Sequence, residues 1–336
     1  MSIMNVQWEP RPFGTDEIEP DAAEGYRTLA SSLRRQGEVR CCIRACRTWL
    51  PCRTRKNPSQ FCPYHGISIS TSPTYVYKDW KRNFLLRHDL IAAVKEHKVE
   101  SWRLGSESSE DALSWNMFVG LAHLGLLGEA FDLLTGCKPK EEPQLFLWGV
   151  EVWPTYRPGA WSRLVGARAE FERGVRIPTE PDIMLRVAGQ ALVLAEAKFG
   201  SLNGTLAKKP NQSIPDFLNQ YRSLPGQIDP LDREVIMGMP RDKVLEQLCR
   251  NVIFSNYMAE GKEEAFVVNL VRGIAEIDVK DRMDLHLPAE NRDRFRRVAW
   301  EDLGRLPLLQ CVEAAPLRHY LKTKTLKLQT AFRTAY

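Results

Sequence analysis

The apolar and polar positions divide the chain into a front third with few regular elements and a longer remainder with many. Residues 1–25 are Pro-rich and acidic and predict a loosely docked arm. From Gly25, Tyr26, Leu29 and Leu33 mark a short helical stretch. Residues 67–80 read as extended structure followed by a linker, which sets a domain boundary near Pro73. Between Trp80 and His97, Phe84, Leu85, Leu90, Ile91 and Val94 line one face of an amphipathic helix. The Ser, Glu and Asp residues from Ser106 to Asp111 form a cap and first turn for a helix running to about Leu127, and Ala130–Leu134 predicts a second. Leu145–Val150 reads as a first core strand. The stretch 151–178 reads as an irregular excursion whose Trp153, Tyr156 and Trp161 belong to the core. Ala191 to Ala195 is a short apolar run bounded by turn residues, which suits a strand buried on both faces. Beyond it, Asp216–Arg222 is helical in pattern, and Asp242–Met258 is strongly amphipathic through Leu245, Leu248, Val252 and Ile253. Ala265–Val271 is a further buried strand, and Phe295–Leu303 a closing strand that enters a helix. Arg318–Arg333 predicts a terminal helix or a phosphate-facing edge, and together these elements give an α/β protein.

Composition narrows the class. The chain has 336 residues, 43% hydrophobic and 26% charged, as in soluble globular proteins. No segment approaches a membrane-spanning apolar run, and Met1–Pro20 lacks the apolar core of a secretion signal, so a cytoplasmic protein without a membrane partner is expected. Five of the eight cysteines fall between residues 41 and 62. In a reducing compartment such a cluster points to metal rather than disulfides. The pattern Cys42-x3-Cys46-x15-Cys62-x2-His65 supplies three thiolates and an imidazole, a full tetrahedral set for Zn2+, with Cys41 and Cys52 as alternative ligands. A segment of about 25 residues cannot bury enough core to fold without such a staple. It resembles the small treble-clef and zinc-ribbon modules that end in C-x-x-H.

Charge is concentrated in the same place. The formal net charge of the whole chain is +5, while residues 27–66 hold nine Lys or Arg against the single acid Glu38, a local net of +8. Arg47, Trp49, Arg53, Arg55 and Lys56 interleave basic groups with an aromatic ring inside the cysteine loop. Such a surface neutralises phosphates and can stack on a base, so nucleic acid is the expected partner.

The stretch that organises the remainder is Thr179–Gly204, TEPDIMLRVAGQALVLAEAKFGSLNG. Asp182 opens a short strand, Ala188-Gly189-Gln190 turns it, and the return strand ends in Glu196-Ala197-Lys198. In a strand, residues i and i+2 share a side, so Glu196 and Lys198 project together, and a hairpin sets Asp182 beside them. Two carboxylates and an ammonium suit a hard cation facing a phosphate.

Asp182, thirteen residues and then Glu196-x-Lys198, with Pro181 before the Asp and an apolar strand before the Glu, resembles the core of the PD-(D/E)xK nuclease superfamily. The resemblance implies a restriction-endonuclease-like core, a mixed central sheet flanked by helices, covering 73–336 behind the zinc-binding module at 26–72. It implies that Asp182, Glu196 and the main-chain carbonyl of Ala197 hold Mg2+ or Mn2+, and that Lys198 orients water or steadies the phosphate. It also implies a further carboxylate from a preceding helix, matched by Glu110 with Glu107 and Asp111 as neighbours. A Gln or Tyr from a following helix is matched by Gln220 and Tyr221, and Lys208 and Lys209 lie in a basic loop beside the site. The expected activity is phosphodiester hydrolysis, foremost of DNA, by a homodimer where both strands are cut. Restriction or anti-phage defence, with other protein subunits, is the implied setting. The alternatives from other classes are an inactive nuclease fold that binds or senses nucleic acid, and a scaffold whose zinc module binds a protein.

Overall fold

A computed structural model describes Trp8 and residues 34–35, 38–43, 46–51, 60–70, 74–97, 104–175, 178–223, 228–327 and 329–332. The chain forms two compact units. The first draws its described residues from Met1–Ile91, Glu100–Leu124 and Pro307–Tyr336, and the second from Ala92–Val99 and Gly125–Leu306. The boundary expected near Pro73 therefore falls inside the first unit, which also claims a central helix and the C-terminal segment.

In the first unit, Glu38–Arg40 pairs antiparallel with Trp49–Pro51, and Ile67–Ile69 pairs antiparallel with Tyr75–Tyr77. Helix α1, Glu110–His123, starts at Ser109, whose side chain accepts from the Ala112 N–H, as the Ser/Glu/Asp cluster predicted. Gly120 lets the C-terminal helix Ala315–Thr323 approach closely: a Cβ there would meet Leu317 Cδ2 at 3.0 Å. Buried Glu107 accepts from the Tyr77 hydroxyl at 2.6 Å and faces Lys324 Nζ at 3.5 Å, which makes it a strut within this unit. The helix expected over 80–97 is broken into a 3-10 turn, Trp80–Asn83, and the helix His88–Val94. Arg87, with φ 55, interrupts the helical backbone between them.

The second unit is built on a seven-stranded mixed sheet. Its strands are β1 (Gln144–Leu147), β2 (Val150–Trp153), β3 (Arg157–Ala160), β4 (Ile183–Val187), β5 (Ala191–Ala197), β6 (Glu264–Val271) and β7 (Phe295–Ala299). They lie in the order β7-β6-β5-β4-β1-β2-β3; β5, β6 and β7 run parallel and the remaining neighbours antiparallel. All seven residues of β5 are buried, as its unbroken apolar run requires at the centre of a sheet covered on both faces. Helices α2 (Leu127–Thr135), α3 (Ser162–Phe171), α4 (Ile214–Gln220) and α5 (Glu246–Ala259) follow in chain order. The excursion expected at 151–178 is regular over much of its length, comprising β2, β3 and α3. Its helix buries only Leu164, Ala167 and Phe171, too thin a stripe to stand out in sequence. Among the described residues no single helix is long and apolar enough to cross a membrane.

Candidate metal centre and carboxylate site

Two short turns bring four ligand atoms together in the first unit. Cys41 leaves the strand Glu38–Arg40 with its N–H held by Thr48 O at 2.9 Å, and the Cys46 N–H closes a turn onto Ile43 O at 2.9 Å. Cys62 and His65 belong to a second turn, in which the Gly66 N–H donates to Cys62 O at 2.7 Å with Gly66 at φ +60. The thiols of Cys41, Cys46 and Cys62 and an imidazole nitrogen of His65 all lie within 4.8 Å of one another. His65 Nδ1 is 3.4 Å from the Cys62 sulfur and 3.6 Å from that of Cys41, while the Cys46 and Cys62 sulfurs are 3.9 Å apart. Hydrogen bonding to Cys42 and burial push the Cys41 thiol far up. Burial pushes Cys62 up to about 11. Burial also acts to raise Cys46, but hydrogen bonds with Thr48 and the other thiols more than reverse it. Three thiols and an imidazole nitrogen packed this tightly form the donor set that a zinc-like cation draws together, the thiols as thiolates. This Cys3His cluster is able to hold a metal such as zinc.

The ligand set corrects the spacing argument at one position. Cys41 joins the cluster and Cys42 does not; Cys42 lines a small apolar core with Val39, Ile43, Leu50, Ile67 and Tyr75. The chain bends at Cys42, just past the strand Glu38–Arg40, and of the two adjacent thiols only that of Cys41 meets the other ligands. Cys52 lies outside the described residues, as do Arg53, Arg55 and Lys56. Arg47 is exposed.

In the second unit the hairpin forms in the expected register. Val187 pairs with Ala191 and Ile183 with Ala195, around a turn in which Gly189 takes φ +65. Continuing that register sets Asp182 opposite Glu196, and opposed residues share a face. Asp182 Oδ2 accepts the Ala197 N–H at 2.9 Å. Lys198 Nζ meets Glu196 Oε1 at 2.7 Å, with Glu196 4% and Lys198 8% exposed. Trp300 Nε1 donates to Lys198 O at 3.2 Å, and the Lys198 N–H reaches Leu270 O at 2.8 Å. The structure thus brings Asp182, Glu196, Ala197 and Lys198 together at the C-terminal end of β5. Neighbouring strands extend the polar row: Glu196 is in register with Asn269 on β6, and Asn269 with Arg297 on β7.

Two residues that sequence reasoning missed complete the surroundings of Glu196. Gln247 and Asn251, one turn apart on α5, donate from Nε2 to Oε1 and from Nδ2 to Oε2, the latter at 2.9 Å. Their i, i+4 spacing on a helix otherwise read for its apolar stripe was the available signal. Beside them, Arg250 contacts Glu246 at 3.1 Å. Burial works against its charge, but Glu246, Tyr221, Glu172 and Glu196 outweigh that and hold the guanidinium above its ordinary value.

The other expected residues have surroundings of their own. Tyr221 is buried among Phe171, Phe217 and Phe254, and its hydroxyl donates to Glu172 at 3.0 Å, so it is a core residue with no surface to offer a substrate. Gln220 spends its amide on Phe171 O at 3.1 Å and on Gln212. Lys208 and Lys209 are exposed, with Lys209 Nζ 3.8 Å from Glu246. Glu110 stands in the first turn of α1, in the first unit, where an acid complements the helix dipole.

An ionised carboxylate offers about four lone-pair sites. Glu196 accepts from Lys198, Gln247 and Asn251, which leaves it able to take one further partner. Burying a Glu–Lys ion pair costs desolvation that its own attraction seldom offsets, so the pair is weak evidence for stability. Comparison with family models, curated proteins and solved structures finds no match to this chain.

Proposed function

We propose that the chain is a metal-dependent nuclease that hydrolyses phosphodiester bonds, foremost of DNA, at the site of Asp182, Glu196 and Lys198. The observation that carries this reading is the buried Glu196–Lys198 pair on one face of a strand end, with Asp182 anchored to the intervening Ala197 N–H. Asp182 and Glu196 would hold Mg2+ or Mn2+, with the Ala197 carbonyl as a further oxygen ligand. Such an ion, when bound, polarises the phosphate and lowers the pKa of a bound water. The chain's own residues set the geometry. Gln247 and Asn251 fix the Glu196 carboxylate through one hydrogen bond to each oxygen, and Trp300 and Leu270 fix the main chain of Lys198. Lys198 supplies positive charge to a site with little water to screen it. In the second unit exposed Lys208 and Lys209 are available to phosphates, and so, in its own unit, is exposed Arg47.

The test is cleavage of plasmid and single-stranded DNA with Mg2+ or Mn2+, against EDTA, by the wild type and by Asp182→Ala and Lys198→Ala. Metal-dependent cutting by the wild type, reduced on the order of 10²–10³-fold in Lys198→Ala, is expected. Equal cutting by all three proteins would assign the activity elsewhere. Salt-sensitive DNA binding without cutting by any of them would turn the reading to a nucleic-acid binder on an inactive fold.

A further inference from the structure

Among the described residues one aromatic ring is exposed, that of Tyr64, at 80%. It stands in the turn of the metal centre, between Cys62 and His65. The backbone of that turn is fixed. The Gly66 N–H donates to Cys62 O at 2.7 Å, the Cys62 N–H donates to Ile67 O at 3.0 Å, and the main chain of Tyr64 and of His65 hydrogen-bonds to the Cys62 sulfur. Arg82 Nη1 donates to His65 O at 2.6 Å, and the Lys78 N–H to Gly66 O at 2.7 Å. The side chain of Tyr64 has no such anchors: among the described residues its hydroxyl makes no hydrogen bond, and its ring contact is with His65, centroids 6.5 Å apart. The surroundings are cationic. From Phe61 to Arg87 the chain has four Lys or Arg and one acid, Asp79, which accepts the Lys81 N–H at 3.1 Å. Lys78 and Lys81 are exposed, and so is Arg47, one residue past Cys46, whose sulfur is 3.9 Å from that of Cys62. Among the described residues none of these three cations is in an ion pair.

We propose that Tyr64 is a stacking platform for an unpaired base, with Lys78, Lys81 and Arg47 taking the neighbouring phosphates, and that the ligand is a single-stranded nucleic acid. An isolated exposed aliphatic side chain means little, but a large ring left in water on a fixed backbone forgoes burial that the fold could otherwise use. Such a ring has two side-chain torsions to order when it binds, so little of the contact is lost to entropy. Every base has a flat face, and stacking on an aromatic ring is therefore tolerant of sequence. Unpaired cations draw phosphates by releasing counterions. A duplex keeps its base faces stacked on one another, whereas a single strand can splay a base onto the ring. A protein interface is depleted of charge around its central aromatic residues, unlike the surroundings of Tyr64. This surface belongs to the first unit and stands whether or not Asp182, Glu196 and Lys198 cut nucleic acid.

The experiment measures fluorescence anisotropy of labelled single strands of DNA and of RNA, a DNA duplex and an abasic single strand, each with the zinc-loaded full chain and without Mg2+ or Mn2+. Tyr64→Ala is expected to weaken binding of a single strand by roughly tenfold or more, and to leave the duplex and the abasic strand unchanged. Tyr64→Phe keeps the flat ring and should restore most of that loss. Lys78→Ala/Lys81→Ala should weaken every ligand and flatten its salt dependence. Zinc content equal to the wild type in both Tyr64 variants separates a lost platform from a lost fold. Several results would overturn the proposal: no binding of either single strand by the wild type, equal affinity in Tyr64→Ala, an equal loss on the duplex or abasic strand, or no recovery in Tyr64→Phe.

Discussion

In the first unit, Cys41, Cys46, Cys62 and His65 meet on turns between strands of three residues each, over a small apolar cluster. In the second, Asp182, Glu196 and Lys198 sit at the end of a strand buried at every position within a seven-stranded sheet. A core as thin as the first contributes little against chain entropy, so there the ligands must hold the structure. The carboxylate site draws its order from the sheet and spends it, since the buried ion pair and its amides add polar groups to an interior that apolar side chains would pack at lower cost. One site therefore stabilises its surroundings, and the other depends on them.

The sharpest way to break that comparison is at the thiols. Cys62→Ser should lose the bound metal and disorder the two hairpins around it, because structural zinc contributes about 10–16 kcal/mol to such modules. Cys42→Ser should keep the metal, at the cost only of a small core substitution. Metal content by mass spectrometry and hydrogen exchange over residues 38–77 would check both; loss of metal from Cys42→Ser but not from a Cys41→Ser partner would reverse the ligand assignment. A smaller effect is expected at the amides of α5. Gln247→Ala and Asn251→Ala each remove a hydrogen bond to the Glu196 carboxylate and should destabilise the second unit by about 1.5–3 kcal/mol, read from urea midpoints. Stability unchanged in both would mean that Glu196 does not need its donors.

The smallest effect concerns acid. His286 is 1% exposed; its Nδ1 faces Arg282 O at 2.9 Å and its Nε2 accepts the Leu245 N–H at 3.2 Å, which fixes a neutral ring beside the start of α5. Burial holds its pKa below the ordinary 6.5. The unfolded chain therefore protonates first, and the stability His286 contributes is full above 6.5 and declines as pH falls through the window beneath it. The urea midpoint should drop between about pH 7 and pH 5 more steeply in the wild type than in His286→Gln, each protein compared with itself. Parallel pH series would assign the acid sensitivity to another group.

How much of each site was legible follows from sequence distance. Asp182 to Lys198 is one hairpin, and its turn residues, apolar run and two-residue alternation settle register and facing without help from the remainder of the chain. The paired spacing of Cys46, Cys62 and His65 is likewise local. Cys41 and Cys42 are adjacent, and spacing alone cannot say which faces inward; the Cys41 N–H held by Thr48 O decides it. Tyr221 looked available because Tyr suits both surface and core, and only the packing of Phe171, Phe217 and Phe254 makes it core.

By itself the sequence determined the elements whose information is short-range: the buried strand β5, the hairpin carrying Asp182, Glu196 and Lys198, the capped helix α1, and a cysteine–histidine cluster too small to fold without a ligand. Tertiary structure decided what no local pattern encodes. It joined the C-terminal segment to the front of the chain, as Lys324 reaching Glu107 shows. It brought Gln247 and Asn251 across 51 and 55 residues to one carboxylate, and Asn203 across 73 residues to Glu276. The reason is physical. Backbone geometry fixes where side chains point over a turn or a strand, whereas contacts between distant segments depend on how whole elements pack.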